Sequence, residues 1–187
     1  MSEPLKADVQ RFSELELDLG EFHLRPMLES DKELILKNYN EELIQRWMGI
    51  ASPFLEDNFT NWLAFQRADQ ERGGGIWWVI EQDGIPLGQI WFRRQKWADK
   101  ISEIGYLAFP ESRGKGMIPF LTRELAKLAL LKYQMNRVEI WCDKENVNSG
   151  RAAEKAGFTY EGTMRKALFQ RGVALDSNVY SMIAEDI

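Results

Sequence analysis

The segment from Ser102 to Leu131, SEIGYLAFPESRGKGMIPFLTRELAKLALL, restricts the fold more than any other part of the chain. Ile104, Tyr106 and Phe109 favour a strand, and Pro110 ends its pairing because it has no amide hydrogen to donate. Gly114 and Gly116 let the backbone turn tightly and let another group come close. Leu121, Leu125 and Leu128 then recur at spacings of four and three, one face of a helix. A helix that starts directly after a glycine turn presents unpaired N–H groups and the positive end of its dipole. With Arg113 and Lys115 beside it, such a strand–turn–helix is suited to hold a phosphate.

At 187 residues the chain has the length of one domain, and its 44% hydrophobic and 28% charged residues mark it as globular. Seven tryptophans and ten phenylalanines imply a thick aromatic core before an aromatic-walled cleft. A net charge of −5 supplies no basic stripe for nucleic acid. One cysteine, Cys142, and one histidine, His23, make neither a disulfide framework nor a Cys/His metal site, so no metal is expected. No apolar run approaches the ~18 residues of a membrane span and no signal-peptide pattern is present, so no membrane partner and a cytoplasmic location are expected.

Along the chain, residues 1–12 read as a flexible tail and 13–187 as a single domain. Alternating Leu15, Leu17 and Leu19, then Phe22 and Leu24 beyond Gly20, predict a strand with a bend at the glycine. Helices are predicted from Ser30, as cap, to Asn40, over Glu42 to Trp47, and from Leu55 to Arg72 before Gly73-Gly74-Gly75. Ile76 to Glu81 and Leu87 to Phe92 flank the turn signal Asp83-Gly84. After the central segment come a strand over Arg137 to Asp143, a helix capped by Asn146 or Asn148 and ended by Gly157, a strand over Phe158 to Gly162, and a last pairing of Phe169-Gln170 with Asn178 to Ile183. Hairpins first and helix-strand alternation later predict an α/β (mixed α+β) fold, a mixed sheet with helices on both faces.

Gly114-Lys115-Gly116 fits neither a dinucleotide fingerprint, which needs a third glycine where Pro119 stands, nor a nucleotide P-loop, which needs Ser or Thr where Gly116 stands. The series SEIGYLAFPESRGKGM, RVEIWCDKENVNS and AEKAGFTYEGTMR instead resembles the GNAT superfamily of acetyl-CoA-dependent N-acetyltransferases, most closely its RimJ/RimL type. FHLRP and IEQDGIPLGQI fit the same pattern, so the resemblance spans about residues 22–183. It implies the GNAT fold, a largely antiparallel sheet whose central strands splay apart. The family's phosphate loop, Gln/Arg-x-x-Gly-x-Gly/Ala, falls on Glu111, Gly114 and Gly116. Glu111 departs from it and is expected to point away from a pyrophosphate, leaving the amides from Arg113 through Gly114, Lys115, Gly116 and Met117 to Ile118 as ligands of the cofactor, acetyl-CoA.

Acetyl transfer to an amine requires a neutral amine, an aligned thioester, a held oxyanion and a proton for the leaving thiolate. The resemblance implies that the backbone of Leu107 and Ala108, on the splayed strand Glu103 to Ala108, contacts the pantetheine arm. Ser149 and Asn146 match the family's Asn-x-x-Ser pattern, with Ser149 as acid toward the departing sulfur and Asn146 on a pantetheine amide. Both residues equally suit a helix N-terminus. The RimL-type glutamate base aligns with Leu168 and does not transfer. Glu103 is the favoured base, directly or through water, ahead of Glu161. His23 reads as structural and Cys142 as core, and Trp47, Trp62, Trp91 and Trp97 lie in segments that border the acceptor side of related folds. The implied activity is acetylation of a primary amine, either a peptide N-terminus or a small amine; a non-catalytic acyl-CoA-binding module is the reading from another class. A homodimer is compatible with each.

Overall fold

The structure is a computed structural model that describes residues 12–187. Alternation along three consecutive strands decides which helices cover which side of the sheet. These are β3 (Ile76–Gln82), β4 (Ile85–Lys96) and β5 (Ile101–Ala108). Successive side chains on a strand point to opposite faces. Ile76, Trp78, Ile80, Ile90, Phe92 and Ile104 therefore enter one buried cluster, and Trp77, Val79, Trp91 and Leu107 enter another. The first is covered by α4 (Met117–Lys127) through Leu121, Leu125 and Ala126, and by α5 (Val147–Lys155) through Ala153. The second is covered by α1 (Lys32–Tyr39), α2 (Glu42–Trp47) and α3 (Glu56–Glu71), through Ile35, Tyr39, Ile44, Phe59 and Leu63. Helices thus lie on both faces, as the order of elements implied.

β1 (Leu17–Leu19), β2 (Phe22–Arg25), β6 (Arg137–Asp143), β7 (Thr159–Gln170) and β8 (Val173–Met182) complete an eight-stranded sheet in the order β1-β2-β3-β4-β5-β6-β8-β7. Every neighbouring pair is antiparallel except β5 and β6. Those two are parallel and pair only at Ile101 with Arg137, Ser102 with Val138 and Glu103 with Glu139. Beyond Glu103 they part, which is the splay that the family resemblance implies.

Several boundaries differ from expectation. Gly20, at φ +62°, reverses the chain outright, so the predicted bent strand is the β1–β2 hairpin. Ser30 caps nothing: a short 3-10 turn over Glu29–Asp31 precedes α1, and the Asp31 carboxylate accepts from the Leu28 amide and from Arg25. β4 runs on to Lys96, and β7 is one twelve-residue strand where the sequence suggests two fragments. β7 lies at the sheet edge and is largely exposed, so no apolar alternation marks its length. Of the expected tail, residues 1–11 lie outside the described residues. Its last residue, Phe12, stacks on Phe92 with ring centroids 4.3 Å apart. Among the described residues, no helix is long and apolar enough to cross a membrane.

The β4–β5 junction depends on one small residue. Gly105 pairs with Trp91, and a Cβ at residue 105 would fall inside the Trp91 indole. Gly105→Ala is expected to lower the unfolding free energy by about 1–3 kcal/mol, the cost of overpacking a filled site, with the midpoint of urea unfolding as the measurement.

Candidate active site

Separation of β5 from β6 opens a cavity of about 650 Å³. Ile104 to Ala108 of β5 and Ile140 to Asp143 of β6 form its sides, and the turn from Ser112 to Gly116 closes one end. Leu43, Trp47 and Met48 of α2 and the loop after it, with Leu168 and Phe169 of β7, form a further wall. Arg171, in the β7–β8 turn, donates to the backbone oxygen and to Oε1 of Gln45 on α2, which ties these two walls together.

The phosphate loop has the form the sequence implies. Gly114 and Gly116 have φ of +77° and +83°, and a Cβ at either would meet nothing within 4 Å. The concavity in front of them is therefore open. Gly116 is the N-cap of α4, so the Met117 and Ile118 amides belong to the first turn, where helix geometry leaves no partner. Pro119 is tolerated there because an amide hydrogen at that position would be unpaired anyway. Among the described residues, the amides of Gly114, Lys115 and Gly116 have no acceptor either. Five N–H groups and the dipole of α4 thus meet one open hollow, an arrangement fitted to a diphosphate.

Arg113 departs from expectation. Its amide donates to Pro110 O, its Nε to Ala108 O, and its Nη atoms to Glu41, at 2.7 Å for the closer pair. The charge that sequence assigned to a phosphate is balanced by Glu41, because α2 sits against the loop. The Ala108 carbonyl is likewise occupied, which leaves its amide. The Arg113 guanidinium, helped by the Ile44 and Leu43 amides, holds the Glu41 carboxyl down at about 2. Glu111 is turned outward toward Lys37, as expected.

Asn146 caps α5, its Oδ1 accepting from the Ser149 amide at 3.2 Å. Both Asn146 and Ser149 also line the cavity, so capping and exposure to a ligand coexist. Ser149 Oγ lies 3.1 Å from Tyr106 Oη, and the phenol also donates to Ser149 O. In the sequence Tyr106 is marked only as a strand former; no local pattern marks a tyrosine that meets its partner across a split sheet. Burial pushes its phenol up, so it stays protonated. Cys142 lines the same cavity, and burial raises its thiol too. Gly150, which looks unsuited to a helix, is required because Tyr180 Oη occupies the place of a Cβ.

Glu103, the expected base, is buried and does not line the cavity. Its Oε1 accepts from Arg93 and its Oε2 from Arg94, so neither oxygen is free to receive a proton from an amine. Glu161 is also excluded by geometry: it lies outside the cavity, paired with Ser181 and Arg137. Leu168 does face the cavity, so the site has a hydrocarbon where the RimL-type base would stand. Of Trp47, Trp62, Trp91 and Trp97, only Trp47 lines the cavity; Trp141 on β6, not expected, does as well. His23 pairs with Asp18 across the β1–β2 hairpin, away from the site.

Among the described residues the cavity wall carries Arg93, Arg94, Arg113, Lys115, Arg151 and Lys155 and one carboxylate, Asp143. Arg113 is matched by Glu41, and Arg93 and Arg94 share Glu103 behind the wall, so the uncompensated charge sits at Arg94, Lys115, Arg151 and Lys155 in a chain whose net charge is −5. A model of the "Acetyltransferase (GNAT) domain" matches residues 21–159. The chain belongs to the GNAT acetyltransferase family. It is 25% identical over 169 residues to the "Uncharacterized N-acetyltransferase YoaA" of Bacillus subtilis, covering 89% of this chain and 96% of that one. The "Putative ribosomal N-acetyltransferase YdaF" of the same organism is 29% identical over 160 residues, 82% of this chain and 84% of that one. Among solved structures, the RimL ribosomal L7/L12 alpha-N-protein acetyltransferase in complex with coenzyme A superposes with a TM-score of 0.78 at 21% identity, over 90% of this chain and 97% of that one. This GNAT chain is an N-acetyltransferase, and its splayed sheet is the fold of that family.

The Glu41–Arg113 pair predicts an acid limb in stability. A carboxyl depressed from 4.5 to about 2 contributes stability that is fully present above pH 4.5 and is lost as pH falls toward 2. Glu41→Gln is expected to reduce stability at pH 6, and the gap from wild type should shrink steadily below pH 4.5 in urea unfolding series.

Proposed function

We propose that this N-acetyltransferase acetylates the α-amine of a peptide N-terminus, with acetyl-CoA held between β5 and β6. The amides from Gly114 to Ile118 bind the diphosphate, while Lys115, Arg151 and Lys155 supply charge toward the remaining phosphate. The β5 edge from Ile104 to Ala108 has no strand on its β6 side after Glu103 and offers alternate backbone groups there to an extended arm, the Ala108 amide among them. Those of Leu107 are turned toward Gln89 on β4. Acetyl-CoA supplies an activated acetyl group. Ser149 Oγ, held by Tyr106 Oη, can give a proton to the departing sulfur and take one back from the acylated amine nitrogen, so the wall ends the reaction as it began. Trp47, Leu168 and Phe169 exclude water from the acceptor side.

The observation that carries the choice of acceptor is a wall in which Arg94, Lys115, Arg151 and Lys155 face a single carboxylate, Asp143. Such a site favours an amine that is already largely neutral over a strongly basic one. An α-amine with a pKa of about 7.7–8.0 is about one-third neutral at pH 7.5, whereas a lysine-like amine near 10.4 is about 0.1% neutral. Neighbouring guanidinium groups shift the balance further toward the neutral amine. A polyamine, with several positive charges, is repelled by the same wall. The names of YdaF and RimL, a ribosomal and an alpha-N-protein acetyltransferase, agree with this acceptor. The tie between Arg171 and Gln45 narrows the acceptor side and favours, as a second reading, a small α-amine such as a free amino acid.

Thiol release from acetyl-CoA with Ser-, Ala- and Thr-starting peptides is expected to exceed release with spermidine by at least about a hundredfold, following the difference in neutral amine. Equal or faster turnover of spermidine would overturn the peptide reading. Gly114→Glu places a carboxylate in the phosphate hollow and is expected to weaken coenzyme A binding in calorimetric titration by at least about a hundredfold, the loss of two charge-assisted hydrogen bonds. Glu103→Gln is expected to slow turnover less than about tenfold; a loss of a hundredfold or more, the scale of general-base catalysis, would return Glu103 to that role.

A further inference from the structure

Strand β4 carries two consecutive arginines that both reach Glu103 and both line the cavity. On a regular strand Arg93 and Arg94 would point to opposite faces. Here the ladder slips. Arg93 pairs with Glu103 and Lys96 with Ile101, three steps on β4 against two on β5, and Arg94 takes a φ of +51°. A bulge with a non-glycine residue in the left-handed region is a strained arrangement that re-aims a side chain. Its product is a second guanidinium on the cavity side.

Glu103 does not need that second cation for itself. Arg93 already meets Oε1 with Nε at 2.8 Å and Nη2 at 2.6 Å. Arg94 makes one bond, 3.2 Å to Oε2, with its side chain 60% exposed. A guanidinium has five donors in a planar fork, so four remain. The adjacent carboxylate on β6, Glu139, is matched by Arg137 at 2.7 Å and by Trp141 Nε1 at 2.8 Å, and makes no call on Arg94. The phosphate loop is remote. Arg93 stands opposite Glu103 and the loop begins beyond Ala108, five residues or roughly 16 Å along the strand at ~3.3 Å per residue. The excess charge at Arg94 therefore faces the part of the cavity away from that loop.

We propose that Arg94 binds a carboxylate of the acceptor, so that the preferred substrates are peptide N-termini with Asp or Glu in the first few positions after the acetylated residue. This rests on the peptide-acceptor reading. A planar fork matches a carboxylate in two-point contact, and in this chain the contact would draw the peptide's amine to the part of the cavity beside Gly105.

The test compares kcat/KM of the full chain for three otherwise identical peptides beginning Ser-Glu-Glu, Ser-Gln-Gln and Ser-Lys-Lys, and for free serine and glutamate, in wild type and Arg94→Asn. Asparagine accepts a positive φ more readily than other residues with a side chain, which spares the bulge. Wild type is expected to favour the acidic over the glutamine peptide by about tenfold or more, mainly through KM, the scale of one charge-assisted hydrogen bond. In Arg94→Asn that ratio should fall to about one. A wild-type ratio near one, or a ratio retained in the variant, overturns the inference while leaving N-terminal acetylation intact. A uniform fall for all peptides together with a lower melting temperature marks Arg94 as structural only and also overturns it. Faster turnover of free glutamate than of any peptide assigns the carboxylate to a small acceptor and overturns the peptide form. No thiol release with any acceptor sinks the underlying reading as well. If the variant does not fold, salt decides: the wild-type KM should rise with NaCl for the acidic peptide and stay level for the glutamine peptide, and parallel curves would refute the proposal.

Discussion

Parallel pairing between β5 and β6 lasts three residues, and the site exists because it stops there. A parallel pair that continued past Glu103 would satisfy the backbone of Ile104 to Ala108 and fill the cavity with a strand. Ending it leaves a row of polar groups that must be met by water or by a ligand, since burying them unpaired is costly. A polar contact crosses the gap in addition to the apolar cluster that joins its sides. Tyr106 crosses from β5 to the first turn of α5 and hydrogen-bonds both the backbone oxygen and the hydroxyl of Ser149. A phenol is long enough to span such a gap and still expose its oxygen at the wall. The contact that crosses the gap is thus also the place where a proton is kept.

The last rung before the split has its own electrostatic problem. Glu103 and Glu139 are register partners on adjacent strands, and like charges facing one another destabilise a sheet. Each is answered from its own side of the split: Glu103 by Arg93 and Arg94, Glu139 by Arg137 and the Trp141 indole. The fork of the sheet is therefore clamped by ion pairs that are partly shielded from solvent and are less screened than surface pairs. A carboxylate at a position that suggests a base on sequence grounds is thereby engaged by two guanidinium groups. Its oxygens are used to hold the strands at the point where they begin to part.

Legibility followed the physics of each element. The turn at Gly114 and Gly116 was readable because positive φ, an amphipathic helix behind it and an apolar strand before it each leave a mark on the sequence. The strands β3 to β6 were readable for the same reason, since both faces are buried and their side chains are selected for it. β7 was not: an exposed edge strand carries no alternation, so its middle reads as a gap. The pairings that decide the chemistry were equally hidden. Nothing near Arg113 announces that Glu41, seventy-two residues earlier, takes its charge, and nothing near Glu103 reveals that a bulge brings Arg94 as well as Arg93 to it. Both depend on register between segments, which composition and local spacing do not encode.

With a hydrocarbon at Leu168 and with Glu103 and Glu161 both paired elsewhere, Asp143, whose Oδ1 accepts from the Glu145 amide, is the one carboxylate left on this wall among the described residues. A cation-lined cavity answers the need for a neutral amine by another route, because it makes the protonated amine the disfavoured form. The gain is about one pKa unit for each ~1.4 kcal/mol of repulsion, enough to turn an α-amine largely neutral near pH 7 but far too little for a lysine-type amine. On the proposed reading one arrangement of charge does two things in an acidic chain: it attracts a donor rich in phosphate at one end and selects weakly basic amines at the other. On this account the acceptor class follows from the electrostatics of the wall and not from the shape of a pocket. The absence of a carboxylate at residue 168 is then part of the selectivity.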